Sequence, residues 1–111
     1  MVRADKDQLI RIFSNLIKNA LQAIPDDRKG EVQILLQDLG KEVIITVKDN
    51  GIGIPKDQLS KIFVPNFTTK SSGTGLGLAM VKAMTEGMGG QVWFETEENK
   101  GTRFYVKLVK E

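Results

Sequence analysis

Asp49 closes a strand-like run, KEVIITVKDN, and is followed by two spaced glycines, Gly51 and Gly53, in DNGIGIP. Strand side chains alternate between faces, so Val43, Ile45 and Val47 share one face and Asp49 continues it. A carboxylate on the core side of a strand is costly unless it is paired or hydrogen-bonded. Two readings stay open. Asp49 is a turn residue placed after the strand has twisted away, or it accepts a donor, such as an exocyclic amine, from a ligand lying over that face. Asn50-Gly51 is the strongest short-range hairpin signal. Yet Pro55 and the short helical turn KDQLSKIF follow instead of a second strand. Gly51 and Gly53 therefore read as making room for a flat ligand beside the sheet.

A second polar constellation lies on the first helical segment. At 100° per residue, with Asn15 set at zero, Asn19, Gln22 and Gln8 fall within roughly 40° of it. Leu9, Phe13, Leu16, Ala20 and Ile24 fall at roughly 100–180° on the same wheel, the opposite side. A solvated helix back usually carries charge, but here the charges, Arg11 and Lys18, sit beside a stripe of amides. Amides offer neutral oxygen acceptors and N–H donors on short stems. The alternative is a core helix with a polar outer surface.

The third is KSSGTGLGLAMVK, which runs from a polar loop into a helix through Gly73, Gly75 and Gly77. Each glycine weakens a helix by about 1 kcal/mol relative to alanine. One reason for three is a hinge. The other is a phosphate cradle of free N–H groups at the positive end of a helix dipole, with Lys70, Thr68 and Thr69 adding charge and hydroxyls. Neither the P-loop pattern nor G-x-G-x-x-G is present, since Met80 takes the last position counted from Gly75.

These groups need a scaffold, and the pattern supplies one. Asp5 with Gln8 resembles a capping box opening a helix that runs to about Ile24 and ends at Pro25. EVQILLQDLGKEVIITVKD reads as two strands joined at Leu39-Gly40. Residues 51–74 form a long loop with one helical turn at 56–63. A helix from Gly75 to about Met88 ends at Gly89-Gly90, and QVWFETE and TRFYVKLV are strands around the turn ENKG. The 111 residues make one small domain. Hydrophobic and charged fractions of 41% and 27% fit a globular protein, and a net charge of +2 is too small to argue for nucleic acid or an acidic membrane. Without cysteine there is no disulfide or thiolate metal site, and without histidine no Ser-His or Cys-His catalysis and no His-metal site in the chain. No apolar run approaches the ~18 residues of a membrane span.

NLIKNALQA (15–23), DNGIGIP (49–55), IFVPNFTTK (62–70) and GTGLGLAMVK (73–82) come in this order and at these spacings. Together they resemble the N, G1, F and G2 boxes of the histidine-kinase catalytic, ATP-binding domain, a member of the Bergerat-type (GHKL) ATPase superfamily. The resemblance covers about residues 5–108 and is greatest to nitrogen-regulation-type sensor kinases of two-component signal transduction. It implies an α/β sandwich: a mixed, mostly antiparallel sheet with helices on one face and ATP between helices and loop.

The resemblance also implies roles. Asn19 supplies a carbonyl oxygen to Mg²⁺, a hard cation that favours oxygen ligands. Asn15 helps position metal and phosphates, and Lys70 is a γ-phosphate contact; with Asn19 these are the catalytic positions. Asp49 accepts the adenine amino group, with Gly51, Gly53 and Ile54 beside the base. Thr69, Gly73, Thr74, Gly75 and Gly77 line the phosphates, with Leu76 anchoring the helix. Residues 56–74 form an ATP lid, packed by Phe63 and Phe67, for both of which a plain core role is as good a reading as any ligand contact.

Two departures matter. Many sensor kinases carry Lys and Tyr three and four places after the second Asn, where this chain has Gln22 and Ala23, so more weight falls on Lys70. The family domain also usually starts some residues earlier. Only MVRAD precedes the first helix here, so an N-terminally short fragment with an exposed sheet edge or helix seam is expected. ATP-hydrolysing relatives place a Glu where Asn15 stands, and an amide cannot serve as general base. The resemblance therefore implies a domain that holds Mg-ATP for a histidine on a separate helical dimerisation domain of the same kinase. A response regulator lies downstream, and neither nucleic acid nor membrane contacts this domain. A cytoplasmic location is expected, with a parent kinase that can be membrane-anchored. The alternatives are a gyrase- or MutL-type ATPase module, and a nucleotide-sensing domain without transfer activity.

Overall fold

The computed structural model describes residues 6–63 and 77–109. Asp5, Phe67, Thr68, Thr69, Lys70, Gly73, Thr74, Gly75 and Leu76, and residues 64–74 of the expected lid, lie outside the described residues. The described elements are α1 (Lys6–Gln22), β1 (Val32–Asp38), β2 (Glu42–Asp49), a 3₁₀ turn (Lys56–Gln58), α2 (Gly77–Gly87), β3 (Gln91–Glu97) and β4 (Gly101–Val109).

The four strands form one sheet in the order β1-β2-β4-β3, antiparallel at every described pairing. β2 and β3 both run against β4, so they are parallel to each other with the last strand between them, a split βαβ unit closed by α2. Val47, Phe104, Val106 and Leu108 face the helices and meet Ile12, Leu16 and Ala20 of α1 and Val81 of α2 in a common core. Phe63 adds its ring edge-on to Phe94 and Phe104, at centroid distances of 5.9 and 6.4 Å. Its described role is therefore core packing.

α2 stops where the glycines stop it. Gly89 has φ 78°, Gly89 N–H donates to Glu86 and Gly90 N–H to Thr85, the paired bonds of a Schellman cap. α1 is buried along Ile12, Leu16 and Ala20, whereas Ile10 and Leu21 are exposed. Ile12 lies only about 60° from Asn15, so the core arc abuts the amide stripe instead of lying opposite it. β1 is an edge strand. Ile34 and Leu36 share the core-facing side through their pairing with Val47 and Ile45, yet are 56% and 69% exposed. The other face of the sheet is polar and aromatic. Trp93 stacks on Tyr105 at 5.2 Å, and the Tyr105 hydroxyl donates to Glu95, which raises the phenol above its ordinary range.

Candidate functional site

The helix-facing side of the sheet ends in a polar row. Asp49 of β2 pairs with Thr102 of β4, and Thr102 with Thr96 of β3. Asp49 is 3% exposed and Thr102 is buried. The two threonine hydroxyls lie 2.9 Å apart. Thr96 donates to Gly101 O at 3.2 Å and accepts the Ile54 N–H at 2.9 Å. Its one proton is then used, so the Thr102 hydroxyl donates to it. β2 keeps its pairing through Asp49, so the strand has not twisted away there, while the carboxylate also caps the turn that follows.

The turn after Asp49 is fastened from several sides. Gly51 N–H donates to Asp49 Oδ1 at 2.8 Å. The Asn50 amide accepts from Glu31 N–H and donates to Lys29 O, both at 2.8 Å. Ile52 N–H donates to Ala23 O at the end of α1 (2.9 Å), and Asn99 N–H of the β3–β4 turn donates to Ile52 O (2.7 Å). Arg28 Nη1 reaches Asn50 O, Gly51 O and Asn99 O at 3.1, 3.3 and 2.8 Å. Asn50-Gly51 thus makes no hairpin.

The glycines have a reason beyond room for a ligand. A Cβ on Gly51 would lie 2.5 Å from Ala23 O. Gly53 has φ 74°, and a Cβ there would run into the Glu97 carbonyl. The chain's own backbone takes the side-chain space at both positions.

The amide stripe of α1 is partly covered. Gln8, Asn15, Asn19 and Gln22 are half-buried, while Arg11 and Lys18 are exposed. Asn15 Nδ2 donates to Arg11 O at 2.8 Å. α1 also acts as a ruler. Ala23 touches the turn at Ile52, and at 1.5 Å rise per residue Asn19 and Asn15 follow about 6 and 12 Å back along the axis. Gly77 is the first residue of α2. Asp49, Gly51, Gly53 and Ile54 are thus gathered at one end of the sheet, with Asn19 and Asn15 leading away from it along α1.

Ala23, Arg28, Asn50, Thr96 and Thr102 were not singled out by the sequence as candidates for this region. Thr96 and Thr102 carry a retrievable signal, since each occupies the inward parity of its strand where the neighbours are apolar. Arg28 carries none, because its partners are carbonyls of the main chain. Among the described residues no cluster of three or more acidic side chains could hold a metal, and no helix is long and apolar enough to cross a membrane.

Residues 4–111 match the family model of histidine kinase-, DNA gyrase B- and HSP90-like ATPases. The chain belongs to this family. Sensor histidine kinase ZraS of Escherichia coli O157:H7 is 45% identical over 107 residues, which cover 96% of this chain and 23% of that protein. Sporulation kinase E of Bacillus subtilis (strain 168) is 37% identical over 108 residues, 96% of this chain and 14% of that protein. The chain thus spans less than a quarter of the curated relatives named. Among solved structures, the catalytic domain of histidine kinase ThkA in a nucleotide-free form aligns with TM-score 0.85 and 36% identity, over 98% of this chain and 70% of that one. Full-length ShkA in complex with AMPPNP aligns with TM-score 0.84 and 28% identity, over 99% of this chain and 23% of that one. The fold is the α/β sandwich of histidine-kinase ATPase domains, and within the family the chain is a catalytic domain of the sensor-kinase kind.

Proposed function

We propose that this domain binds Mg-ATP, with adenine at the Asp49 end of the sheet and the phosphates along α1, and presents the γ-phosphoryl group to a histidine on a separate domain. The observation that carries the reading is the Asp49 carboxylate: 3% exposed, in register with Thr102, with one oxygen engaged by Gly51 N–H. Asp49 accepts the exocyclic amine of adenine, which guanine lacks at that position. The ATP analogue in the similar ShkA structure supports a nucleotide as ligand.

Asn19 presents a neutral amide oxygen from a half-buried position, a donor that suits a hard cation. Mg²⁺ bound there would neutralise phosphate charge. One amide ligand holds it weakly alone, so metal and nucleotide are expected to bind together. Asn15, one turn earlier, positions the phosphates. The N-terminal N–H groups of α2, from Gly77, with Gly73, Thr74, Gly75 and Leu76 before it, donate to them, and Thr69 and Lys70 add a hydroxyl and a charge. Residues 56–74 close over the nucleotide as the lid. The chemistry left to the protein is positioning and electrostatic stabilisation. Asn15 cannot accept a proton from water, so ATP is held, not hydrolysed. The chain has no histidine of its own. The acceptor therefore belongs to the dimerisation domain of the parent kinase, a response regulator receives the group next, and the work is done in the cytoplasm without membrane contact by this domain.

Thermal unfolding with AMPPNP tests the reading. At 100 times the dissociation constant the ligand stabilises the fold by about 2.7 kcal/mol. The shift is expected to shrink when Mg²⁺ is chelated and to be smaller with the guanine analogue. Labelled ATP supplied with a histidine-bearing dimerisation domain then reads transfer. No label on any histidine would favour a nucleotide sensor, and rapid phosphate release by the chain alone would favour a gyrase- or MutL-type ATPase.

A further inference from the structure

Arg28 lies in a charged segment, DDRKG, that looks like an ordinary solvated turn. Its contact with Asp27 fits that description: Nε lies 3.3 Å from Oδ1 of a largely exposed neighbour. Such pairs contribute little to stability. The other side of the guanidinium is different. Nη1 meets three main-chain carbonyls, of Asn50, Gly51 and Asn99. Nη1 carries two protons, so two of the three acceptors share one, and the adjacent Asn50 and Gly51 oxygens are the pair placed to do so.

One of these bonds bears directly on Asp49. The Asn50 carbonyl and the Gly51 N–H belong to the same peptide unit, which is planar and trans. Its oxygen accepts from Arg28 and its N–H donates to Asp49 Oδ1 at 2.8 Å. Fixing the oxygen fixes the direction of the N–H. A cation on the carbonyl also polarises the N–H and strengthens what it donates. The Asn99 contact anchors the same guanidinium to the β3–β4 turn, so the peptide cannot swing with a loose side chain.

We infer that Arg28 is a positioning residue for the purine site: acting through the 50–51 peptide, it sets the orientation of the Asp49 carboxylate and hence the preference for adenine over guanine. The inference rests on the proposed role of Asp49 as adenine acceptor, and the test separates the two. Arg28→Met keeps the apolar stem and removes every donor. Arg28→Lys keeps a cation that reaches fewer carbonyls.

Titration calorimetry with Mg-AMPPNP, the guanine analogue and Mg-tripolyphosphate is run on the 111-residue chain and both variants, with folding at the assay temperature checked by circular dichroism. In Arg28→Met, AMPPNP affinity is expected to fall about tenfold, equivalent to about 1.4 kcal/mol. Tripolyphosphate affinity should be unchanged and the adenine preference should narrow. Arg28→Lys should recover part of that preference. In an Asp49→Asn background, Arg28→Met should have no further effect on it. Equal loss for AMPPNP and tripolyphosphate marks a general structural role and overturns the inference. So does an unchanged adenine preference in Arg28→Met. If Arg28→Met does not fold, Arg28→Lys decides, and wild-type discrimination there overturns it. Wild-type protein that binds tripolyphosphate but shows no adenine preference removes the role of Asp49, and the inference falls with it.

Discussion

β2 is entered through Asp38-Leu39-Gly40 and left through Asp49-Asn50-Gly51, and each aspartate accepts a hydrogen bond from the N–H two residues on, at 2.9 and 2.8 Å. The local chemistry is the same Asx turn. The surroundings are not. A Cβ on Gly40 meets nothing within 4 Å, whereas one on Gly51 meets the carbonyl of Ala23 at 2.5 Å. Asp38 is exposed and Asp49 is buried. The first turn joins β1 to β2 and touches little else. The second is bonded to the end of α1, the α1–β1 connection and the β3–β4 turn. A three-residue pattern therefore makes a connector or a candidate binding turn according to what the rest of the chain brings to it.

Paired substitutions at the two ends test that contrast. Gly51→Ala should have the largest effect, about 3 kcal/mol in urea unfolding, because α1 or the turn must move to admit the methyl group. Unchanged stability would mean that the fastening is looser than the distances indicate. Asp49→Asn comes next. Losing a charge-assisted acceptor worth about 1.5–3 kcal/mol should weaken AMPPNP binding by roughly 10- to 100-fold in calorimetry. Gly40→Ala should cost only about 1 kcal/mol, the strain of an L residue at φ 87°, and leave nucleotide affinity as it was. Asp38→Asn should be smallest, within about 0.5 kcal/mol in the same unfolding assay, since an amide oxygen still caps Gly40 N–H. If the Asp38 variant weakened binding as much as the Asp49 variant, the distinction between the two ends would be lost.

Much of this was legible in the chain and some was not, for physical reasons. Strand period is two, so the inward direction of Asp49 follows from Val43, Ile45 and Val47 without any tertiary knowledge. The amide stripe on α1 is equally local. Its relation to the core is not, because the buried arc of a helix depends on what packs beside it. α1 is flanked by α2 as well as the sheet, which draws Ile12 inward and leaves Ile10 and Leu21 outside. The reason for Gly51 lies in a carbonyl 28 positions earlier, at Ala23, and the role of Arg28 in carbonyls up to 71 positions away. Backbone acceptors are identical in every residue, so no composition or motif records where they converge.

The placement of β4 has a consequence for how the molecule comes into being. Last among the described elements to leave the ribosome, it is the one that β2 and β3 must both wait for. Until it inserts, neither Thr102 nor the Asn99 anchor stands where the proposed purine turn needs it. A nascent chain stopped short of residue 101 would carry Asp49, Arg28 and both asparagines of α1 and still be expected to bind nothing, so ligand competence should arrive in one late step.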